Sequence, residues 1–125
     1  PGVPVWLNEG IATLYGNSKS IKIKNRTKMR YLVNYRLSHL KEAYRKKILP
    51  TFKELLMARP FNFYSLKPRE YYALSRYILF YLDRKNQLSP FYKEIKKAGG
   101  NRVKHLKILN RYIDYKTFIS WVMRL

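Results

Sequence analysis

The sequence predicts an all-α fold, an irregular bundle of about five to seven helices packed around a central helix near residues 68–85. Three observations carry that prediction. Apolar residues recur at helical spacing along most of the chain. The stretch from Pro68 to Lys85 is apolar on nearly every side, as a helix in the middle of a core must be. The remainder is punctuated by helix starts (Ser89-Pro90, Asn101, Asp114) and stops (Gly16-Asn17, Pro50, Gly99-Gly100). A length of 125 residues with 46% apolar content suits a single helical domain, 1–125, with one modest core.

Taken in order, Pro1 to Pro4 reads as an extended lead-in, because the residue before a proline is pushed out of the α region. A helix follows to about Tyr15. At 100° per residue Leu7, Ile11 and Leu14 form an apolar stripe, while Glu9 lies roughly opposite with Val5, Ala12 and Thr13. Ser18 to Thr27 alternates in Ser20-Ile21-Lys22-Ile23-Lys24, a weak signal for a short strand or an exposed loop. A helix is expected from about Lys28 to Lys47, carried by Met29, Leu32, Val33, Leu37, Leu40 and Tyr44. After Pro50, Thr51 to Met57 makes one or two turns. The aromatic loop Arg59-Pro60-Phe61-Asn62-Phe63-Tyr64 is expected to tuck under the core rather than stack on bases.

Pro68 suits the first turn of the central helix, which carries Tyr71, Leu74, Ile78, Leu79 and Leu82 on its broad face. Ser89-Pro90 opens a short basic helix with Phe91, Ile95 and Ala98 on one side. Asn101 and Asp114 cap two closing helices. The first turns Val103, Leu106 and Leu109 inward. The second carries Phe118, Ile119, Trp121, Val122 and Leu125.

Charge is the strongest compositional signal: 27 basic against 7 acidic residues, a formal +20. Such a field attracts polyanions, whether nucleic acid, anionic lipid or another acidic polymer. Lys19 to Lys47 holds eleven basic residues and one Glu, and Arg36, Lys41, Arg45 and Lys46 are the candidates for contacting phosphates. A solvated basic face is the plainer reading of the same residues. There is no apolar run long enough to cross a membrane and no cysteine for disulfides or thiolate ligands. Gly-rich phosphate loops, C-x-x-C and G-x-S-x-G are absent, and the seven acids stand singly.

One segment carries more specific chemistry. Pro4-Val5-Trp6-Leu7-Asn8-Glu9-Gly10-Ile11-Ala12-Thr13-Leu14-Tyr15 resembles the second zinc-binding segment of the gluzincin metallopeptidases, most of all the peptidase-MA-like branch, where P-x-W-L-x-E-G-x-A-x-x-Y recurs. The resemblance implies that Glu9 is the third zinc ligand, that Gly10 and Ala12 permit close helix approach, and that Trp6 and Leu7 pack behind. Tyr71-Tyr72-Ala73-Leu74-Ser75 is similar to the Y-A-x-S segment downstream. There a Tyr donates a hydrogen bond to the oxyanion of the tetrahedral intermediate, a role that falls on Tyr72, with Tyr71 as the fallback. The order of the closing helices, with a Trp near the end, also resembles the tail of peptidase-MA-like domains, which buttresses the catalytic helices from behind.

The family's H-E-x-x-H is not in this sequence, and both histidines, His39 and His105, follow Glu9. A catalytic zinc takes about three protein ligands and an open position. The chain is therefore expected to be the C-terminal part of a longer metallopeptidase catalytic domain. The intact protein would bind zinc and take a peptide or protein substrate; the chain alone should neither hold zinc tightly nor hydrolyse peptides. The resemblance also points to an extracytoplasmic location, periplasmic or lipoprotein. A basic helical module binding nucleic acid or another polyanion is the alternative from a different class.

Overall fold

The computed structural model describes residues 3–16, 18–24 and 26–125, and only the backbone of Lys19, Ile21, Lys22, Ile23 and Lys28. Pro1 and Gly2 of the expected lead-in, and Asn17 of the first helix stop, lie outside those residues. The fold is an irregular bundle of α-helices, as expected. In order come α1 (Val5–Gly16), the strands β1 (Ser18–Ile23) and β2 (Arg26–Tyr31), α2 (Arg36–Arg45), α3 (Phe52–Met57), a π-helical turn (Asn62–Leu66), α4 (Pro68–Arg84), α5 (Leu88–Lys97), α6 (Arg102–Tyr112) and α7 (Tyr115–Arg124). Among the described residues no helix is long and apolar enough to cross a membrane.

α4 is the axis. Every residue from Ala73 to Leu82 is buried, because α1, α2, α5, α7 and the π-helical turn pack around it. α1 lies closest, and Gly10 is the reason. A Cβ there would stand 2.7 Å from Leu79 Cδ1 and 3.1 Å from the Ser75 carbonyl oxygen. The buried arc of α1 is accordingly Trp6, Leu7, Gly10 and Leu14. It is rotated toward Gly10 from the expected Leu7–Ile11–Leu14 stripe, and Ile11 is only half-buried. At the far end, Phe118 and Trp121 of α7 meet Tyr81 of α4 edge-on at 5.6 and 5.0 Å.

Val103, expected to turn inward with Leu106 and Leu109, is exposed, and two expectations about the elements need correction. Residues 28–35 are not the start of a long helix. β2 pairs antiparallel with β1 in the register Ser18↔Tyr31 to Ile23↔Arg26, so the alternating segment is a strand. The backbone that follows finds its partners in α4: Arg76 donates to the Leu32 carbonyl, and the Asn34 N–H donates to the Tyr77 hydroxyl at 3.1 Å. Backbone groups satisfied from outside do not need a helix. α2 begins only at Arg36, whose N–H is taken by Asn34 Oδ1 at 3.0 Å. The second correction is smaller. α5 starts at Leu88, so Ser89-Pro90 lies within its first turn rather than at its cap.

The caps at Asn101 and Asp114 form as expected, accepting from the N–H groups of Lys104 (3.1 Å) and Thr117 (3.0 Å). Thr51 and Glu54 add a capping box at α3. The aromatic loop divides. Phe63 is fully buried, stacked on Tyr71 at 5.4 Å and edge-on to Tyr72 at 5.0 Å. Phe61 stays exposed.

Candidate functional site

Glu9 on α1 and Tyr72 on α4, 63 residues apart in sequence, line one cleft of about 370 Å³ together with Ala12, Thr13, Asn34 and Arg36. The close packing at Gly10 draws the two helices together. The face of α1 turned away from its buried arc then supplies the small side chains of the cleft wall. Trp6 and Leu7 lie buried behind, as the family resemblance implies. Gly10 has the close-approach role expected of it, whereas Ala12 is exposed and lines the cleft.

The cleft is lined by one carboxylate (Glu9), one guanidinium (Arg36) and the phenols of Tyr35 and Tyr72, with a third phenol, Tyr64, bonded to Glu9. Tyr64, from the π-helical turn, donates to Glu9 Oε1 at 3.3 Å. Burial, then the Glu9 charge, pushes the phenols of both Tyr64 and Tyr72 above the ordinary tyrosine value. For Tyr72 the guanidinium of Arg36 pulls weakly the other way. A tyrosine so shifted keeps its proton throughout the neutral range and acts as a hydrogen-bond donor. Arg36 lies over the Tyr72 ring at 4.9 Å and over Tyr35 at 5.1 Å.

Beneath the cleft lies a residue that sequence reasoning missed. Arg76 is fully buried on α4 and donates to the carbonyls of Thr13 on α1 and Leu32 after β2. Burial lowers its pKa, and the carbonyl dipoles replace the water it has lost. It fixes two walls of the cleft to the central helix. A charged residue inside an apolar helical run is the signal that could have singled it out.

The other basic candidates do not gather at this cleft. Lys41 donates to the Leu125 backbone oxygen at 2.9 Å. Lys46 pairs with Glu42 at 2.7 Å, both side chains being exposed. Arg45 lines a separate hollow with Tyr44, Lys47 and Tyr115. Only Arg36 faces Glu9 and Tyr72. Tyr71, the fallback for Tyr72, is buried against Phe63 and does not line the cleft.

His39 lies against Tyr35, with ring centroids 5.4 Å apart. His105 is buried at the Gly99 carbonyl, Nε2 to O 2.7 Å. Among the described residues no three His, Cys, Asp or Glu side chains come together to hold a metal ion. Glu9 supplies one possible ligand, and a phenol and a guanidinium stand beside it. On its own this donor set does not fit a catalytic zinc, which needs about three protein ligands. A second hollow, about 360 Å³, lies across α1 and is lined by Ile11, Leu14, Tyr15, Tyr31, Asp83 and Tyr92, among others; it contains none of the candidate catalytic, metal or phosphate-contacting residues named from the sequence. Compared with protein-family models, with curated proteins and with solved structures, the chain matches none.

Proposed function

We propose that the chain forms the back wall of a gluzincin-like zinc peptidase site, with Glu9 as the third ligand and two histidine ligands supplied from outside this sequence. The observation that supports the reading is the shared cleft of Glu9 and Tyr72, two residues taken from two segments of the same resemblance that lie 63 positions apart in sequence. In such a site the metal supplies an activated water for attack on a peptide carbonyl. Tyr64 fixes the Glu9 carboxylate by a hydrogen bond, as partners of metal ligands do. Tyr72 keeps its proton and donates to the oxygen on which negative charge builds during attack. Gly10 and Arg76 hold the helices that carry both groups.

The test uses the intact gene product. It should carry one zinc per chain and cleave peptides. Glu9→Gln should lose the zinc. Tyr72→Phe should keep it and lower kcat by roughly 100-fold, the loss typical of an oxyanion donor. A folded intact protein with no zinc would end this reading, as would zinc-dependent turnover by residues 1–125 alone.

The formal charge of +20 supports a second reading, a polyanion-binding module. It predicts affinity for nucleic acid that falls steeply with salt and that charge reversal at Arg36, Arg45 and Lys46 weakens. Equal retention by every polyanion tried would reduce it to bulk charge.

A further inference from the structure

The cleft contains one group that neither metal binding nor oxyanion stabilisation uses. We propose that Arg36 is a carboxylate-binding residue that takes the anionic end or an acidic side chain of a peptide lying in the cleft, making the site selective for acidic peptides. The proposal rests on the reading of the cleft as a peptide site.

Arg36 is held unlike the many basic residues around it. Its guanidinium carbon lies 4.9 Å over one tyrosine ring and 5.1 Å over another. These two cation–π contacts hold the side chain without using its N–H groups, so its N–H edge is left for hydrogen bonding. That edge is a planar fork that matches a carboxylate with two parallel hydrogen bonds. Stacking also fixes the long side chain beforehand, so less rotamer freedom is lost when an anion arrives. Among the described residues Lys46 pairs with Glu42 and Arg111 with Glu94, whereas no described carboxylate pairs with Arg36. Glu9, in the same cleft, receives its hydrogen bond from Tyr64 instead. Arg36's own N–H is satisfied by Asn34, so the backbone there is anchored while the guanidinium is available.

Position sets the consequence. The guanidinium stacks on Tyr72, so a bound anion lies next to the phenol proposed to serve the reacting carbonyl. The carboxylate recognised is therefore close to the bond cleaved, which favours short peptides or the last residues of longer ones. Surface lysines elsewhere could attract the same peptide from a distance, but they offer no such fixed fork.

The experiment compares three peptides of one sequence, titrated into the intact protein with zinc removed by a chelator. One has a free C-terminal carboxylate, one is its C-terminal amide, and one is the amide carrying an Asp side chain. Binding is followed by the NMR shifts of the Ala12, Thr13 and Tyr72 amides. Either carboxylate-bearing peptide should bind at least ~10-fold more tightly than the plain amide, the effect of one charge-assisted hydrogen-bonded pair. Whichever is preferred identifies the source of the carboxylate. Arg36→Met and Arg36→Gln should abolish the preference for the carboxylate-bearing peptides over the plain amide. Equal binding of all three peptides, or none by any, overturns the proposal, as does inorganic phosphate displacing the acid at equal concentration. The wild-type ratio decides even if both variants fail to fold. Because zinc is absent throughout, the result is independent of the zinc content and turnover that test the peptidase reading.

Discussion

Gly10 and Arg76 are the two residues on which the geometry of the cleft turns. Gly10→Ala gains the ordinary helix preference of alanine, about 1 kcal/mol. Against that, the new methyl meets Leu79, which is fully buried, and the Ser75 carbonyl, which is backbone and cannot swing aside. Overpacking of this kind costs about 1–3 kcal/mol. A net loss of roughly 1 kcal/mol is expected in chemical denaturation, and Gly10→Val should lose clearly more. Arg76→Met removes both donations to Thr13 and Leu32 and should destabilise by about 2–4 kcal/mol, since unpaired backbone carbonyls remain. Fluorescence-monitored urea unfolding would check both.

His39 adds a pH dependence. Burial first, then the nearby charges of Arg69 and Arg36, lower its pKa below the ordinary 6.5. The unfolded chain therefore takes up a proton there before the folded one does. Its contribution to stability is complete above pH 6.5 and is lost as pH falls toward the lowered value. The fall in Tm between pH 7 and 5 should be smaller in His39→Gln than in the parent. Glu9 and Tyr72 could be read from sequence because each sits in a recognisable string. Tyr64 could not, because its contact runs to a residue 55 positions away; Arg76 stands out as a charge inside an apolar run, but its partner 63 positions away does not.

At the level of elements, legibility followed whether a segment's partners were local. The caps of α6 and α7 are contacts across three residues, so Asn101 and Asp114 were identifiable in advance. Asn101→Ala should cost about 1 kcal/mol, as loss of a side-chain cap usually does, and thermal melts would register it. α4 was legible for another reason: apolar residues on all sides leave a helix nowhere but the centre. The segment 28–35 misled because Met29, Leu32 and Val33 have helical spacing while their backbone partners lie elsewhere. Those partners are β1 on one side and Arg76 and Tyr77 on the other. Spacing reports which face a side chain prefers; it does not report where a distant donor will arrive.

Across the whole molecule, charge works against compactness. Seven acids cannot neutralise 27 basic residues, and the ion pairs Lys46–Glu42 and Arg111–Glu94 are both largely exposed. Exposed pairs contribute little, while like charges spread over a small domain repel within a screening length of about 10 Å at 0.1 M salt. Raising sodium chloride from low to physiological strength should therefore raise Tm, the reverse of what a fold held by surface ion pairs would show. Differential scanning calorimetry at two ionic strengths tests this. The all-α architecture was legible at this scale from pattern alone, but the cleft was not. It exists only because Gly10 lets α1 settle on α4, bringing Val5–Gly16 against the central helix.

That arrangement also sets an order of events for a chain made from its N-terminus. The buried face of α1 has its seat on a helix that ends at Arg84. At about 5–20 residues per second, roughly 3–14 s separate the emergence of Gly16 from that of Arg84. During that interval Trp6, Leu7 and Leu14 lack the seat that α4 gives them. Transiently uncovered apolar surface of this kind invites association with other molecules, and for Trp6 the cover is complete only when Phe91 of α5 follows α4.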